Sequence, residues 1–480
     1  MKFKKNLGIA ALTGICLSLA TYLPAQTYTQ HKYFVAEPYV QLGHHFKGKD
    51  LSIVWLSEDD SNVLFEYRPA AEADWRAVSK IDHHAVNGHA GMHVYTAQMS
   101  ELPPDSDINY RIKLNGKEIF QATTHSLPAP GNAARFGVFG DVGQGTEGEQ
   151  KIADLLQRSK LPMVIVTGDI VYPIGTISHY LSNFFPYLNH PGGKAKGSPF
   201  MQSSLTVGVP GNHDIAEGGN VDARNLEAFP DSLAYYVLWK QPLNGPIEDK
   251  FGSNISKPYG NPLKLDEFFK AAGHSFPRMA NFSFDYGDCH FLALDGNSYM
   301  DWTDAQLRKW VESDLSSTKA RWKFVAFHQP GFSSDFAHRE EQRMRRLSDI
   351  FERNGVDVVF SGHSHSYQRS YPIHFKAIDK NAEDRQAQLG AVYGTFKIDK
   401  RFDGEKNKKP DGIIYIVSGA GGARLSSPEL ESEPGHWLPF TKSFRCKEHS
   451  ITVCQVDGKS FSLQQINSDG DVIDQFQIQK

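Results

Sequence analysis

From Arg135 onward the chain repeats one pattern: a short, unbroken apolar run that stops at a polar residue, often flanked by glycine. The runs lie in RFGVFGDVG, PMVIVTGDIVY, LTVGVPGNHD, HFLALDGN, WKFVAFHQP and VDVVFSGHSH. Apolar runs this short, with no polar alternation, predict strands covered on both faces. Amphipathic segments separate them. EQKIADLLQRS places Ile152, Leu155 and Leu156 on one helical face, DAQLRKWVESDL aligns Leu307, Trp310, Val311 and Leu315, and RRLSDIFERNG predicts a further helix. Such alternation restricts the region to a layered α/β architecture.

The strand ends carry the chemistry. Asp141 lies in GDVG, Asp169 and Tyr172 in GDIVY, Asn212, His213 and Asp214 in GNHD, His328 in AFHQP, and His363 and His365 in GHSH. In an open α/β sheet the carboxyl ends of the strands face one crevice, so residues more than two hundred positions apart can share a site. A carboxylate bridging two cations gives the ~3.5–4 Å metal pair that clamps the attacking and leaving oxygens of a phosphoryl displacement. Mixed oxygen and nitrogen donors suit first-row transition ions better than magnesium or calcium. Any one of these residues alone reads as a helix cap, a turn former or a buried histidine. Five such strand ends in one chain point to a metal site.

Residues from about 33 to 128 show a different pattern. Leu51, Ile53 and Trp55 alternate in DLSIVWL, VLFEYRP follows, and INYRIKLNGKEIFQATT carries an Asn115–Gly116 hairpin turn. These predict a small β-sandwich, with SLPAPGNAA (126–134) as the linker after it. An insertion at about 216–280, rich in aromatics, Gly and Pro, fits neither period; its AYYVLWKQP and Tyr259 are expected to shape a pocket or to cover the sheet. The C-terminal stretch, about 448–480, alternates and turns at Asp457–Gly458 and Asp469–Gly470, which predicts antiparallel strands closing the sheet.

The N-terminus has the form of an export signal. Lys2, Lys4 and Lys5 precede LGIAALTGICLSLA, and YLPAQ offers cleavage after Ala25. A periplasmic or extracellular location is therefore expected, with no transmembrane segment in the mature chain. Cys289, Cys446 and Cys454 then remain; three thiols form no disulfide framework, although Cys446 and Cys454 stand close enough in sequence to be bridged or simply buried. A net charge of −4 over 480 residues gives no reason to expect a nucleic-acid or membrane surface. The histidines of HHAVNGHAGMH (83–93) are expected to be solvated in a loop, with surface metal capture as the alternative.

GDxG, GDxxY, GNH[DE], VxxH and GHxH in this order resemble the purple acid phosphatase branch of the metallophosphoesterase (calcineurin-like phosphoesterase) superfamily. The likeness runs through residues 135–480 and is especially close in VDVVFSGHSHSYQRS and GIIYIVSGAGG. It implies a four-layer α/β (α+β) sandwich of two mixed sheets flanked by helices. A fibronectin type III-like domain would precede it, with a signal peptide at 1–25, the β-domain at 26–130 and the catalytic domain at 131–480. The resemblance assigns one metal to Asp141, Asp169, Tyr172 and His365, and the second to Asp169, Asn212, His328 and His363, with Asp169 bridging. It places His213 at the substrate phosphate and His338 near the phosphate or the leaving group, both as catalytic residues. Asp214 replaces the family's Glu, while Gln329 and Gln368 replace a more usual His and Glu; none of these removes a proposed ligand.

A phenol keeps its proton to a pKa near 10, so Tyr172 as a ligand calls for a strongly acidic cation, and Fe(III) is the natural candidate. The second ion would be Fe, Zn or Mn in divalent form. The expected function is a secreted acid phosphatase that hydrolyses small phosphate monoesters with a metal-activated hydroxide. A phosphodiesterase on the same dinuclear site is the alternative.

Overall fold

The computed structural model describes residues 32–58, 62–190, 197–218, 221–246, 256–378 and 390–480. The export signal proposed at 1–25 lies outside them. Among the described residues no helix is long and apolar enough to cross a membrane.

The apolar runs form the parallel centres of two mixed sheets. In the six-stranded sheet the order is Leu205–Gly208, Met163–Val166, Ala134–Phe139, Ser450–Asp457, Ser460–Asn467 and Val472–Gln479. The first three strands are parallel, and the last three join them antiparallel. In the seven-stranded sheet the order is Phe282–Tyr286, Cys289–Ala293, Trp322–Ala326, Val358–Ser361, Ile414–Ser418, Tyr367–Ser370 and Thr441–Arg445. Its four middle-to-left strands from Cys289 to Ser418 run parallel.

Side-chain alternation along these strands builds the layers. Phe136, Met163, Ile165 and Val207 of one sheet share a core with Phe291, Phe324, Phe360 and Ile416 of the other. Phe136 is fully buried there, its ring centroid 5.0 Å from that of Phe291 and 5.4 Å from that of Phe324. The opposite faces point outward to helices. Val164 and Val166 meet Ile152, Leu155 and Leu156 of helix Glu147–Ser159. Leu292, Val325 and Val359 meet Leu307, Val311 and Leu315 of helix Ala305–Ser317, together with Ile350 and Phe351. Trp310, expected on that apolar stripe, is only half-buried. The result is helix, sheet, sheet, helix: the four-layer α/β sandwich.

The N-terminal region forms two four-stranded antiparallel sheets. The hairpin Asp107–Leu114 and Lys117–His125 turns at Asn115 and Gly116, with φ of 48° and 79°. Both residues are left-handed, which Asn-Gly accommodates. Strand Leu51–Ser57 departs from the alternating expectation, because it is buried along its whole length. Ile53 and Trp55 fill the β-region's own interior, while Val54 and Leu56 join a cluster with Tyr235 and Trp239 of the α/β region. Hydrogen bonds to carbonyls fix that contact: Tyr39 Oη donates to Leu238 O at 2.6 Å, Tyr110 Oη to Gln202 O at 2.7 Å and Asn87 Nδ2 to Pro230 O at 2.8 Å.

Two further expectations need correction. AYYVLW (234–239) does not shape the pocket. All six side chains are buried, and Tyr235 Oη donates to Gly208 O at the end of a sheet strand. Among the described residues of 216–280 only Ala216 and Glu217 reach the cleft described below. The histidines of 83–93 are not a solvated loop either. His83 and His84 lie in strand Ile81–Ala85, His93 begins strand His93–Met99, and the His83 ring stacks on Tyr95 at 5.2 Å. His89 pairs with Asp231 at 3.1 Å. No group of three metal-capable side chains forms there among the described residues. Cys289, Cys446 and Cys454 are all free and buried.

Candidate metal centre

The sequence places each candidate donor two to six residues past the end of a parallel strand, and the packing of the two sheets brings those ends together. Asp141 follows Ala134–Phe139, Asp169 and Tyr172 follow Met163–Val166, and Asn212 and His213 follow Leu205–Gly208. From the second sheet, His328 follows Trp322–Ala326, and His363 and His365 follow Val358–Ser361.

These residues form two clusters that share Asp169. In the first, Tyr172 Oη lies 3.0 Å from Asp169 Oδ2, 3.1 Å from Asp141 Oδ1 and 2.9 Å from His365 Nε2. In the second, His328 Nε2 lies 3.2 Å from Asp169 Oδ1, 3.1 Å from Asn212 Oδ1 and 3.1 Å from His363 Nδ1. Asp141, Asp169, Tyr172, His328 and His363 are all buried.

Backbone conformation holds the donors at this spacing. Asp141, Asp169 and His363 have φ of 59°, 48° and 69°, the left-handed region that non-glycine residues seldom occupy. Each costs on the order of 1–2 kcal/mol, and such strain persists where the surroundings over-determine it. Close approach does the rest. A Cβ on Gly211 would stand 2.2 Å from both the amide nitrogen and Oδ1 of Asp169. Asp214, the residue after His213, ties the loops together: its carboxylate accepts from Gly211 N at 2.8 Å and Ile170 N at 3.1 Å. Burial, and then the neighbouring Asp169 charge, pushes the Asp214 carboxyl up to about 7.

Hydrogen bonds on the far side of each imidazole choose the nitrogen that faces the cluster. His328 Nδ1 donates to Thr167 O at 2.8 Å and His365 Nδ1 to Arg424 O at 2.7 Å, so both present Nε2. His363 does the reverse: its Nε2 lies 3.2 Å from Glu341 Oε2, and Nδ1 faces His328. Burial raises the Tyr172 phenol far above its ordinary value, and the adjacent Asp169 and Asp141 carboxylates raise it further. Burial would raise Asp169 as well, but His328 and His213 hold it well below the usual carboxylate range.

The donor set fits a pair of cations. Acceptor atoms from three side chains converge on the phenol oxygen, and two ring nitrogens face one another across 3.1 Å. Lone pairs so directed require protons or cations between them.

His213 and His338 lie beside the clusters. The His213 ring centroid stands 4.5 Å from that of Tyr172; its Nδ1 bonds Pro173 O, and its Nε2 lies 3.8 Å from Asp169 Oδ2. The His338 ring centroid is 4.0 Å from that of His363, and its Nδ1 lies 3.0 Å from Glu341 Oε1. Both histidines line a cleft of about 410 Å³ that opens over the donors.

Sequence reasoning missed three residues here. Glu341 joins His338 to His363 and is held below the usual carboxylate range by both, against the upward push of burial. Its position three residues after His338 was an available signal. Asp335 accepts from the hydroxyls of Ser364, Ser426 and Ser427, anchoring the loop of His363 and His365. Asn297 takes a bond from Gln329 Nε2 at 3.0 Å on the opposite wall, so Gln329 is part of a side-chain network.

Comparison with known proteins agrees with this geometry. Residues 134–367 match the calcineurin-like phosphoesterase family. Purple acid phosphatase 21 of Arabidopsis thaliana is 24% identical over 342 residues, which cover 69% of this chain and 66% of the relative. Probable inactive purple acid phosphatase 24 of the same plant is 26% identical over 359 residues, covering 69% and 49%. A nucleotide pyrophosphatase/phosphodiesterase of Hordeum vulgare is 25% identical over 384 residues, covering 75% and 87%. The solved structure of the purple acid phosphatase PPD1 from yellow lupin (Lupinus luteus) seeds superposes with a TM-score of 0.62 at 18% identity, over 92% of this chain and 74% of that one. The chain spans about half to two thirds of the length of the first curated relatives it matches. Two mixed sheets, donors at five strand ends and these likenesses converge: residues 134–367 match the calcineurin-like phosphoesterase family, and the chain is similar in sequence and fold to the purple acid phosphatases.

Proposed function

We propose that this chain is an exported acid phosphatase with a dinuclear metal centre, acting on small phosphate monoesters. One observation carries the reading: the side chains from five strand ends fall into two donor clusters that meet at Asp169. Asp141, Asp169, Tyr172 and His365 would hold Fe(III), and Asp169, Asn212, His328 and His363 a divalent Fe, Zn or Mn ion. The bound pair would supply Lewis acidity toward a water molecule and toward the phosphoryl oxygens.

The chain's own groups would do the rest. His213 and His338 stand on the cleft side of the two clusters, where their ring N–H groups reach phosphoryl oxygens and can pass a proton to the departing alcohol. Glu341 fixes the His338 ring through Nδ1, which leaves Nε2 for the substrate. Buried Tyr172 exchanges its proton for a cation only if that cation is strongly acidic, which favours the trivalent ion. The divisions at 1–25, 26–130 and 131–480 accompany this reading; the fibronectin-like assignment rests on two antiparallel sheets ahead of the phosphoesterase fold.

Metal analysis with a visible spectrum of the purified protein tests the proposal. A phenolate-to-Fe(III) absorption band that vanishes in Tyr172→Phe is expected; a colourless, fully active protein holding only divalent metals would refute it. A diester reading has support in the barley relative named as a phosphodiesterase. Parallel turnover of p-nitrophenyl phosphate and bis(p-nitrophenyl) phosphate decides between them, with the monoester expected to be faster.

A further inference from the structure

The wall of the cleft that holds His338 and Glu341 also holds Arg343. Among the described residues Arg343 makes no ion pair or side-chain hydrogen bond, whereas the other charged groups of the cleft are engaged. Glu341 is shared by His338 and His363. Glu217 is paired with Arg224, which also bonds Asp222. Asp169 stands at the junction of the donor clusters. Among the described residues one guanidinium is therefore left without a counter-charge beside the site.

Its position is defined. Arg343 opens the 3-10 turn Arg343–Leu347, is half-buried, and rests against Gly390. A Cβ on Gly390 would lie 2.8 Å from the guanidinium carbon and 3.0 Å from each terminal nitrogen, and Gly390 has a left-handed φ of 98°. The Gly390 carbonyl accepts from Gln342 N at 3.0 Å, which pins that segment under the arginine. The planar fork is thus seated on a glycine backbone with its donors unspent, a form suited to carboxylate or phosphate.

We propose that Arg343 is a specificity residue that binds a second anionic group, on the leaving-group side of the phosphate being hydrolysed. This rests on the phosphatase reading above and narrows it: preferred substrates carry a second phosphate or a carboxylate in addition to the scissile phosphate. The bond broken is the same P–O bond, with water adding to phosphorus and the proton going to the leaving oxygen. Arg343 takes no part in that step and acts on KM.

The test compares p-nitrophenyl phosphate, inorganic pyrophosphate and 3-phosphoglycerate on metal-loaded wild type and on Arg343→Ala, Arg343→Lys and, as control, Arg339→Ala on the same loop. In Arg343→Ala, kcat/KM for the doubly anionic substrates relative to p-nitrophenyl phosphate should fall about tenfold or more, the scale of a lost charge-assisted hydrogen bond. The fall should sit in KM. Lysine should restore part of it, and the control should leave the ratio alone. A loss confined to pyrophosphate assigns the subsite to phosphate, and a loss for both substrates assigns it to anions generally. An unchanged ratio overturns the proposal. Calorimetric binding of pyrophosphate against orthophosphate gives a readout independent of turnover. If no substrate is hydrolysed, the phosphatase reading fails, while an Arg343-dependent preference for pyrophosphate would still be seen; equal affinities in wild type and Arg343→Ala would refute the subsite.

Discussion

Gly211→Ala isolates one of the tightest contacts in the centre. Gly211 has φ −98° and ψ −179°, a conformation that alanine adopts freely, so the substitution adds no backbone strain. It adds one methyl group, whose carbon would stand 2.2 Å from the amide nitrogen and Oδ1 of Asp169. Ordinary contact begins at 3.4 Å, so 3.4 minus 2.2 gives 1.2 Å of movement to be found. Asp169 has little freedom to yield. Its carbonyl accepts from Val142 N at 3.0 Å, and its Oδ1 accepts from His213 N at 2.9 Å. Overpacking of this kind costs about 1–3 kcal/mol, and a displacement near 1 Å at a reacting centre costs on the order of 10²-fold in rate. Gly211→Ala should therefore stay folded, bind less metal per chain and lose about two orders of magnitude in kcat. Gly435→Ala, where an added Cβ meets nothing within 4 Å, is the matched control. Elemental analysis and steady-state rates on the two variants decide the matter: full metal content and wild-type kcat in Gly211→Ala would show that Asp169 does not need the position found for it.

Two predictions concern stability. His290 is buried between Asp314, 2.8 Å from Nε2, and Asp285, 2.7 Å from Nδ1, and these carboxylates raise it to about 9 against the opposing effect of burial. A pKa raised on folding stabilises fully below the unfolded value near 6.5, and the contribution is lost as pH climbs through 9. His290→Gln should thus lower the thermal midpoint more at pH 6 than at pH 9.5. The difference should be about 2 kcal/mol, after discount for Asp285 on the surface; a pH-independent loss would refute the ion-pair account. Phe136→Ala, which empties the centre of the inter-sheet core, should cost about 3–5 kcal/mol by thermal or denaturant melting. A cost below 1 kcal/mol would mean that the sheets do not rely on that packing.

What was legible in the sequence follows physical necessity. A strand covered on both faces reads as a continuous apolar run, and in each of three cases the donor is the first ionisable residue beyond it; hence Asp141, Asp169 and His363 could be read directly. Tyr172 required more, because it stands outside the strand and only its spacing from Asp169 marks it. Asp335 and Arg343 lie in an irregular segment between His328 and the next helix, where no period constrains which way a side chain points. The aromatic segment 234–239 misled because aromatics suit pocket walls and buried covers equally. Leu51–Ser57 misled differently: its second apolar face matches the phosphoesterase half, and a partner surface far along the chain leaves no local mark on the strand that meets it.

The placement of Ser450–Asp457 has a consequence for the order of assembly. This strand pairs with Ala134–Phe139, aligning Thr452 with Val138 just before Asp141, while Ser418 Oγ bridges Val138 O and Thr452 Oγ1. Until residues 450–457 have been synthesised, the strand that leads to Asp141 is an open edge, with one flank of backbone unpaired. The centre cannot be finished as the chain emerges. The strand leading to its first donor is completed by a segment made more than three hundred residues later, so any metal that needs the finished site would be taken up after that segment has been made.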